Sequence, residues 1–229
     1  MRSATIPRKP AALLAVIVTA GFLACGGGGG SAEAPSGGTT IEGNVSRAMT
    51  NAHAAAGADT SLGQITVSVS DGSAEVSGAT DGSGAFDVVG VPAGDVVVAF
   101  RRGDCNGSVP LSDVITNSMI LLGDVTMDCD QITPARVDEV FEGLLQNSPT
   151  SQSGDLHVIA QAGTSNRTRL VETDSGTSFQ DENGNPASFH DFDQNSLIEA
   201  SGRRDGVGAE STLHASTVKK QPFTIGGNV

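Results

Sequence analysis

Residues 73–102, SAEVSGATDGSGAFDVVGVPAGDVVVAFRR, alternate strand-length apolar runs with turn chemistry. "AFDVVGV" and "DVVVAF" are too short for an ordinary helix and rich in β-branched residues, as strands are. "TDGSG" supplies Asp and Gly, which offer local hydrogen bonds and positive φ, and "VPAG" makes a tight corner. Similar runs recur between Gly, Asp, Asn and Ser clusters along a chain with 30 Gly, no Trp, no Tyr and eight Phe. The expected class is all-β with many turns.

"TTIEGNVS" (39–46) and "GQITVSVS" (63–70) alternate apolar and polar residues as half-buried strands do. "SMILLGDVTMDC" (118–129) adds a further strand, and the Ala-rich "RAMTNAHAAAGADTSL" (47–62) has no regular period and reads as a long loop. "GATDGSGAFDVVGVPAGDVVVAF" resembles the core of the carboxypeptidase regulatory-like domains: a turn, Asp-x-x-Gly, Phe, then Val-Pro-x-Gly before the next strand. The long first loop departs from that pattern. The resemblance implies a seven-stranded, immunoglobulin/transthyretin-like sandwich over 39–130, without catalysis of its own. It also implies that Phe86, Val88, Val97 and Phe100 are core residues.

The chain opens with Arg2, Arg8 and Lys9 before the apolar run "AALLAVIVTAGFLA" (11–24), which is shorter than the roughly 20 residues a lone spanning helix needs. A basic start, a short apolar middle and small residues at the end describe an export signal over 1–24. "FLAC" (22–25) resembles the bacterial lipobox, with Phe22 where that family prefers Leu. The resemblance implies cleavage before Cys25, acyl chains on that residue and anchorage in a membrane of the cell envelope. Gly26 follows the cysteine where Asp would favour inner-membrane retention, which points to the outer membrane. Gly26–Gly30 and "SAEAPSGG" then form a tether over 25–38, with a reach of roughly 20 Å. The alternative is ordinary signal cleavage nearby, with Cys25 left as a free thiol.

Once Cys25 is acylated, Cys105 and Cys129 are the remaining pair of the three cysteines. In an oxidising compartment they are expected to bridge, closing a loop of about 25 residues worth roughly 3–4 kcal/mol in the chain-entropy model. Two buried thiols that never meet are the alternative.

Residues 134–222 form the second expected unit, with 223–229 as a tail. "TPARVDEVFEGLLQN" (133–147) places Val137, Val140, Phe141, Leu144 and Leu145 at helical spacing after a Thr-Pro start. "DLHVIAQA", "RTRLVET", "SLIEASGRR" and "ESTLHASTVKK" are all strands, however, and a fifth strand would help close a barrel. The strand assignment is therefore preferred. The order resembles an exported domain of unknown function with a five-stranded, OB-like barrel, in which a Thr-x-Phe ("TSF", 177–179) follows the third strand.

No constellation of catalytic residues stands out. His53, His157, His190 and His214 are scattered singly, and HExxH, zinc-spaced Cys/His pairs and Gly-x-Ser-x-Gly do not occur. Asp181, Asn183 and Asn185 alternate like calcium ligands, but Pro186 and Phe192 occupy positions where an EF-hand needs Gly and Glu. An irregular calcium site and a solvated acidic loop both stay open. Arg102-Gly103-Asp104 is the integrin-type tripeptide, which a turn after a strand produces by itself. No cofactor is implied. Without the three basic residues of the signal the chain holds 26 acids against 10 Lys and Arg, a net −16, which opposes nucleic-acid binding. The expected function is a lipid-anchored, non-enzymatic envelope protein displaying two β-units to an envelope protein or glycan. A carrier of a small ligand in the barrel is the alternative, with an unrecognised enzyme behind it.

Overall fold

A computed structural model of the protein describes residues 38–49, 62–128, 131–162, 165–205 and 212–222. These are all-β apart from one 3-10 turn at Phe189–Asp191. The first strands are β1 (Thr39–Met49), β2 (Thr66–Ser70), β3 (Glu75–Ala79), β4 (Ala85–Val91), β5 (Gly94–Arg102), β6 (Cys105–Val114) and β7 (Met119–Asp128). There follow β8 (Gln131–Leu145), β9 (Gly154–Ala162), β10 (Ser165–Thr173), β11 (Ser178–Gln180), β12 (Leu197–Arg204) and β13 (Leu213–Lys220). They make two sheets. One has the order β11-β13-β10-β9-β8-β7-β1-β4, with β12 paired to β13 and β8; the other has the order β3-β2-β5-β6.

The β4-β1-β7 end of the large sheet and the small sheet enclose one core, giving the first half sandwich character. Alternation does the work. Val96, Val98 and Phe100 of β5 point inward, as do Val67 and Val69 of β2. Phe86 of β4 meets Phe100 of the facing sheet edge-to-face, with ring centroids 5.4 Å apart. Phe86, Val88 and Phe100 are buried as expected, but Val97 is not: it is 44% exposed. The correction follows from period two, because Val97 lies between inward-facing Val96 and Val98 and must take the opposite face.

A tight corner fixes the start of this core. Gly84 has φ +91°, and a Cβ there would lie 2.2 Å from the carbonyl oxygen of Val45, which accepts no side chain at such range. The Val45 amide in turn donates to the Gly84 carbonyl at 2.8 Å.

β8 is the element on which the two halves depend. Its first part pairs antiparallel with β7, from Asp128↔Gln131 to Met119↔Val140. Its second part pairs with β12, from Arg203↔Asp138 to Leu197↔Leu144. The helical spacing of its apolar residues comes from this change of neighbours. Glu139, Val140 and Phe141 are all buried because both faces are covered where the strand passes between cores.

The second core gathers Phe141, Leu145, Leu156, Val158, Val171, Phe179, Phe192, Ile198 and Val218, and it takes in Ile115 from the β6–β7 turn. Here the expected five-stranded barrel is corrected. The pairings β8–β9–β10–β13–β12–β8 do return to their start. Two seams, however, hold only two residue pairs each among the described residues: Leu144↔Ile159 with Leu145↔Val158, and Val171↔Leu213 with Glu172↔His214. Such a ring of pairings is not a barrel.

Candidate functional site

The outward face of the small sheet is built from cross-strand rows. The middle row is Ser77–Ser68–Ala99–Ser108, running across β3, β2, β5 and β6. All four side chains are small. On one side lies the row Ala79–Thr66–Arg101–Asn106, and on the other Glu75–Ser70–Val97–Pro110. Thr66, Arg101 and Asn106 on one side and Glu75 and Val97 on the other stand above this short row, leaving a trough across the strands with a volume of about 520 Å³. Its lining mixes hydroxyl and amide groups with apolar surface at Val97 and Ala99, and Arg101 and Glu75 in opposite flanking rows cancel in charge. β6 carries Pro110 and closes the sheet edge, since proline has no N–H to offer a further strand.

A second constellation lies between the cores. Glu139 of β8, Arg169 of β10 and Arg204 of β12 are all buried. Each stands on the inward phase of its strand, in step with Phe141, Val171 and Ala200 respectively. Glu139 Oε2 accepts from Arg169 Nη2 and lies 3.5 Å from Arg204 Nη1. The Nε, Nη1 and Nη2 atoms of Arg204 have no hydrogen-bond acceptor. Burial holds its guanidinium below the ordinary arginine value, against the opposing attraction of Glu139. Around the cluster, Arg167 Nη1 of β10 stands 2.8 Å from Asp113 Oδ1 of β6, in contact but out of hydrogen-bond alignment. Asp113 N donates to Asp95 Oδ1 at 3.0 Å. One ion pair, Arg167 with Asp113, thus joins the second half to the first. Nothing here resembles a nucleophile with its base; the arrangement is a tie.

The residues singled out in the sequence are dispersed. Cys105 heads β6, is buried and is disulfide-bonded. Cys129, the partner that the sequence assigns, lies outside the described residues, as do Cys25, residues 1–37 and His53. His157 and His190 are exposed and far apart in the chain. Among the described residues His214 has charged neighbours: Nδ1 is 2.9 Å from Glu172 Oε2 and Nε2 is 2.6 Å from Asp205 Oδ2.

Asp181 forms a turn. Its Oδ1 accepts from the backbone N–H of Asn183 and Asn185, and its Oδ2 accepts from Asn185 Nδ2. The hydrogen bond from the Asn185 side chain leads the contacts that hold this carboxyl below its usual range. Asp71 and Asp81 make turns of the same kind, with Oδ1 accepting from backbone amides two to four residues on. The alternation that looks like a calcium motif makes an Asx-type turn in this chain. Among the described residues no group of three His, Cys, Asp or Glu is placed to hold a metal ion.

Arg102-Gly103-Asp104 spans the β5–β6 hairpin, where Gly103 has φ +56°, as such a turn requires. Thr177 and Phe179 of the Thr-x-Phe are buried; Thr177 donates to Ala215 O at 2.8 Å and Phe179 packs edge-to-face on Phe192 at 5.3 Å. Sequence reasoning missed both the trough and the buried tie. The trough was visible only as small residues on the outward phase of four strands whose registers were unknown. The tie had one sequence signal, a charged residue on the inward phase of each of three strands. No family model, no curated protein and no solved structure matches this chain.

Proposed function

We propose that this chain is a lipid-anchored, non-enzymatic protein of the bacterial cell envelope, facing the periplasm or the surface from the outer membrane. Cys25 carries the acyl chains, residues 25–38 are the tether, and the β body that begins with β1 is displayed for binding or assembly. In this reading β1–β7 are a seven-stranded, transthyretin-like sandwich of the carboxypeptidase regulatory-like kind, and Cys105 pairs with Cys129.

The observation that carries the reading is the disulfide at Cys105 in a chain whose opening residues have the form of an export signal. Structural disulfides persist in oxidising compartments, so the two features point to the same place. The trough supports the binding half, because it is open, carries polar side chains and is presented by a four-stranded sheet. Acidity of the whole chain, −13, disfavours nucleic acid and anionic lipid headgroups as partners of the body.

The test is fractionation of cells expressing the full-length protein and its Cys25→Ala variant, with a broad hydrolase screen on the protein extracted in detergent. The reading expects the wild type in the outer-membrane fraction, the variant released from it, and no turnover. A Cys25→Ala protein that still sediments with membranes refutes the anchor. Turnover abolished by one Asp or Glu substitution refutes the non-enzymatic assignment.

A further inference from the structure

We infer that the trough across β3-β2-β5-β6 binds a linear, uncharged glycan laid across the strands. The inference deepens the envelope-display reading above and rests on it for the supply of such a polymer. Direction comes first. A peptide that augments a sheet runs parallel to a strand and along an edge. This trough instead crosses four strands, following the row Ser77–Ser68–Ala99–Ser108.

Spacing follows from the sheet itself. Neighbouring strands lie about 4.8 Å apart, so the row presents a small side chain at each such step, over about 14 Å from the first strand to the fourth. That step is close to the residue repeat of an extended β-linked pyranose chain. Ser77 and Ser68 are therefore offered to neighbouring sugars and Ser108 to the next sugar but one, with Ala99 at the step between. Serine hydroxyls donate and accept, as sugar hydroxyls do.

Charge selects further. Arg101 and Glu75 give the trough no net charge, while the chain as a whole carries −13, so a polyanion is repelled and a neutral polymer is not. A peptide ligand would also want sockets for its side chains. Among the lining side chains Val97 is the exposed apolar one of any size, which is too little for sockets. With no Trp or Tyr to stack on a sugar face, the affinity is expected to be modest, with Kd on the order of 0.1–1 mM.

The experiment titrates the full-length protein, extracted from membranes in detergent, with cellohexaose, chitohexaose and polygalacturonate. Binding is followed by calorimetry and by chemical shifts of the small-sheet amides. Ala99→Tyr and Ser108→Tyr each fill the trough with a residue that strands accept readily. Val89→Tyr places the same side chain on exposed β4, outside the trough, as a control. Urea midpoints confirm that all three fold.

The inference expects saturable binding of at least one neutral hexasaccharide. It expects at least a tenfold loss in both trough variants, no change in the control, and weaker binding of polygalacturonate at low salt. No binding of either hexasaccharide overturns it. So does binding that survives both trough substitutions, or a preference for polygalacturonate. Mass spectrometry of Cys25 keeps this separate from the anchor. An acylated chain that ignores the sugars sinks the trough assignment alone, and a sugar-binding chain without acyl groups sinks the anchor alone.

Discussion

Glu139 accepts from Arg169 and lies 3.5 Å from Arg204, with all three side chains out of water. A Glu139→Gln substitution keeps the shape of the side chain and removes its charge, leaving two buried guanidinium groups facing each other. At 3.5 Å and an effective dielectric of about 20, the lost attraction to Arg204 alone is about 5 kcal/mol. Relaxation and water entry recover part of this, and breaking a buried pair from one side costs about 3–5 kcal/mol. With a urea m-value of about 3 kcal/mol/M, the midpoint should fall by roughly 1–1.7 M. The triple variant Glu139→Leu, Arg169→Met, Arg204→Met is expected to behave oppositely. It removes the charges together, along with the Arg204 donors that have no acceptor, and should match the wild type or exceed it by about 1–4 kcal/mol. Urea unfolding followed by circular dichroism, with disulfides intact, reads both variants. A Glu139→Gln protein within about 1 kcal/mol of wild type would refute the claim that the two buried guanidinium groups depend on this carboxylate.

Gly84→Ala should destabilise by about 2 kcal/mol or more, from positive φ and the clash with the Val45 carbonyl, read as the same midpoint shift. Burial, helped by Asp87 opposite, raises the Glu42 carboxyl above its ordinary value. Folding therefore favours the protonated form, and that contribution is complete below the unfolded pKa and is lost as pH rises through the folded one. Glu42→Gln should then be more stable than wild type at pH 7, with the difference vanishing near pH 4; equal stability at pH 7 refutes this. Asp71, Asp81 and Asp181 have the opposite sign, being held low chiefly by hydrogen bonds from Ala74, Ser83 and Asn185 respectively. Their contribution is present above the ordinary value of 3.8 and is lost as pH falls through their lower folded values, so an Asp71→Ala, Asp81→Ala, Asp181→Ala variant should show a flatter acid limb.

Strands with a clean period of two were legible in the sequence. β2, β4 and β5 fall within the runs that alternation marks, with the "VPAG" corner between β4 and β5. β6, "CNGSVPLSDV", escaped because Gly, Asn, Ser and Pro break the pattern. An edge strand tolerates them, since one side of it needs no partner. β8 gave a conflicting signal for a physical reason: its inward side changes where it leaves β7 for β12, so adjacent residues are buried and imitate helical spacing. Long-range pairing was out of reach. Nothing local in "TTIEGNVS" announces that β1 runs parallel to β7, nor that Thr40 stands opposite Met119. The trough depends on three such registers at once. The turn aspartates were ambiguous in a simpler way, because Asp with amides at two and four residues on suits a metal loop and an Asx turn alike.

Anchorage through Cys25 is the claim on which the functional account turns. Mass spectrometry of the N-terminal peptide of the protein purified from native membranes tests it most directly. The account predicts a mature chain starting at Cys25, heavier than the bare peptide by a diacylglycerol group with or without an N-acyl chain. An unmodified Cys25, or a mature chain that begins elsewhere, would contradict it.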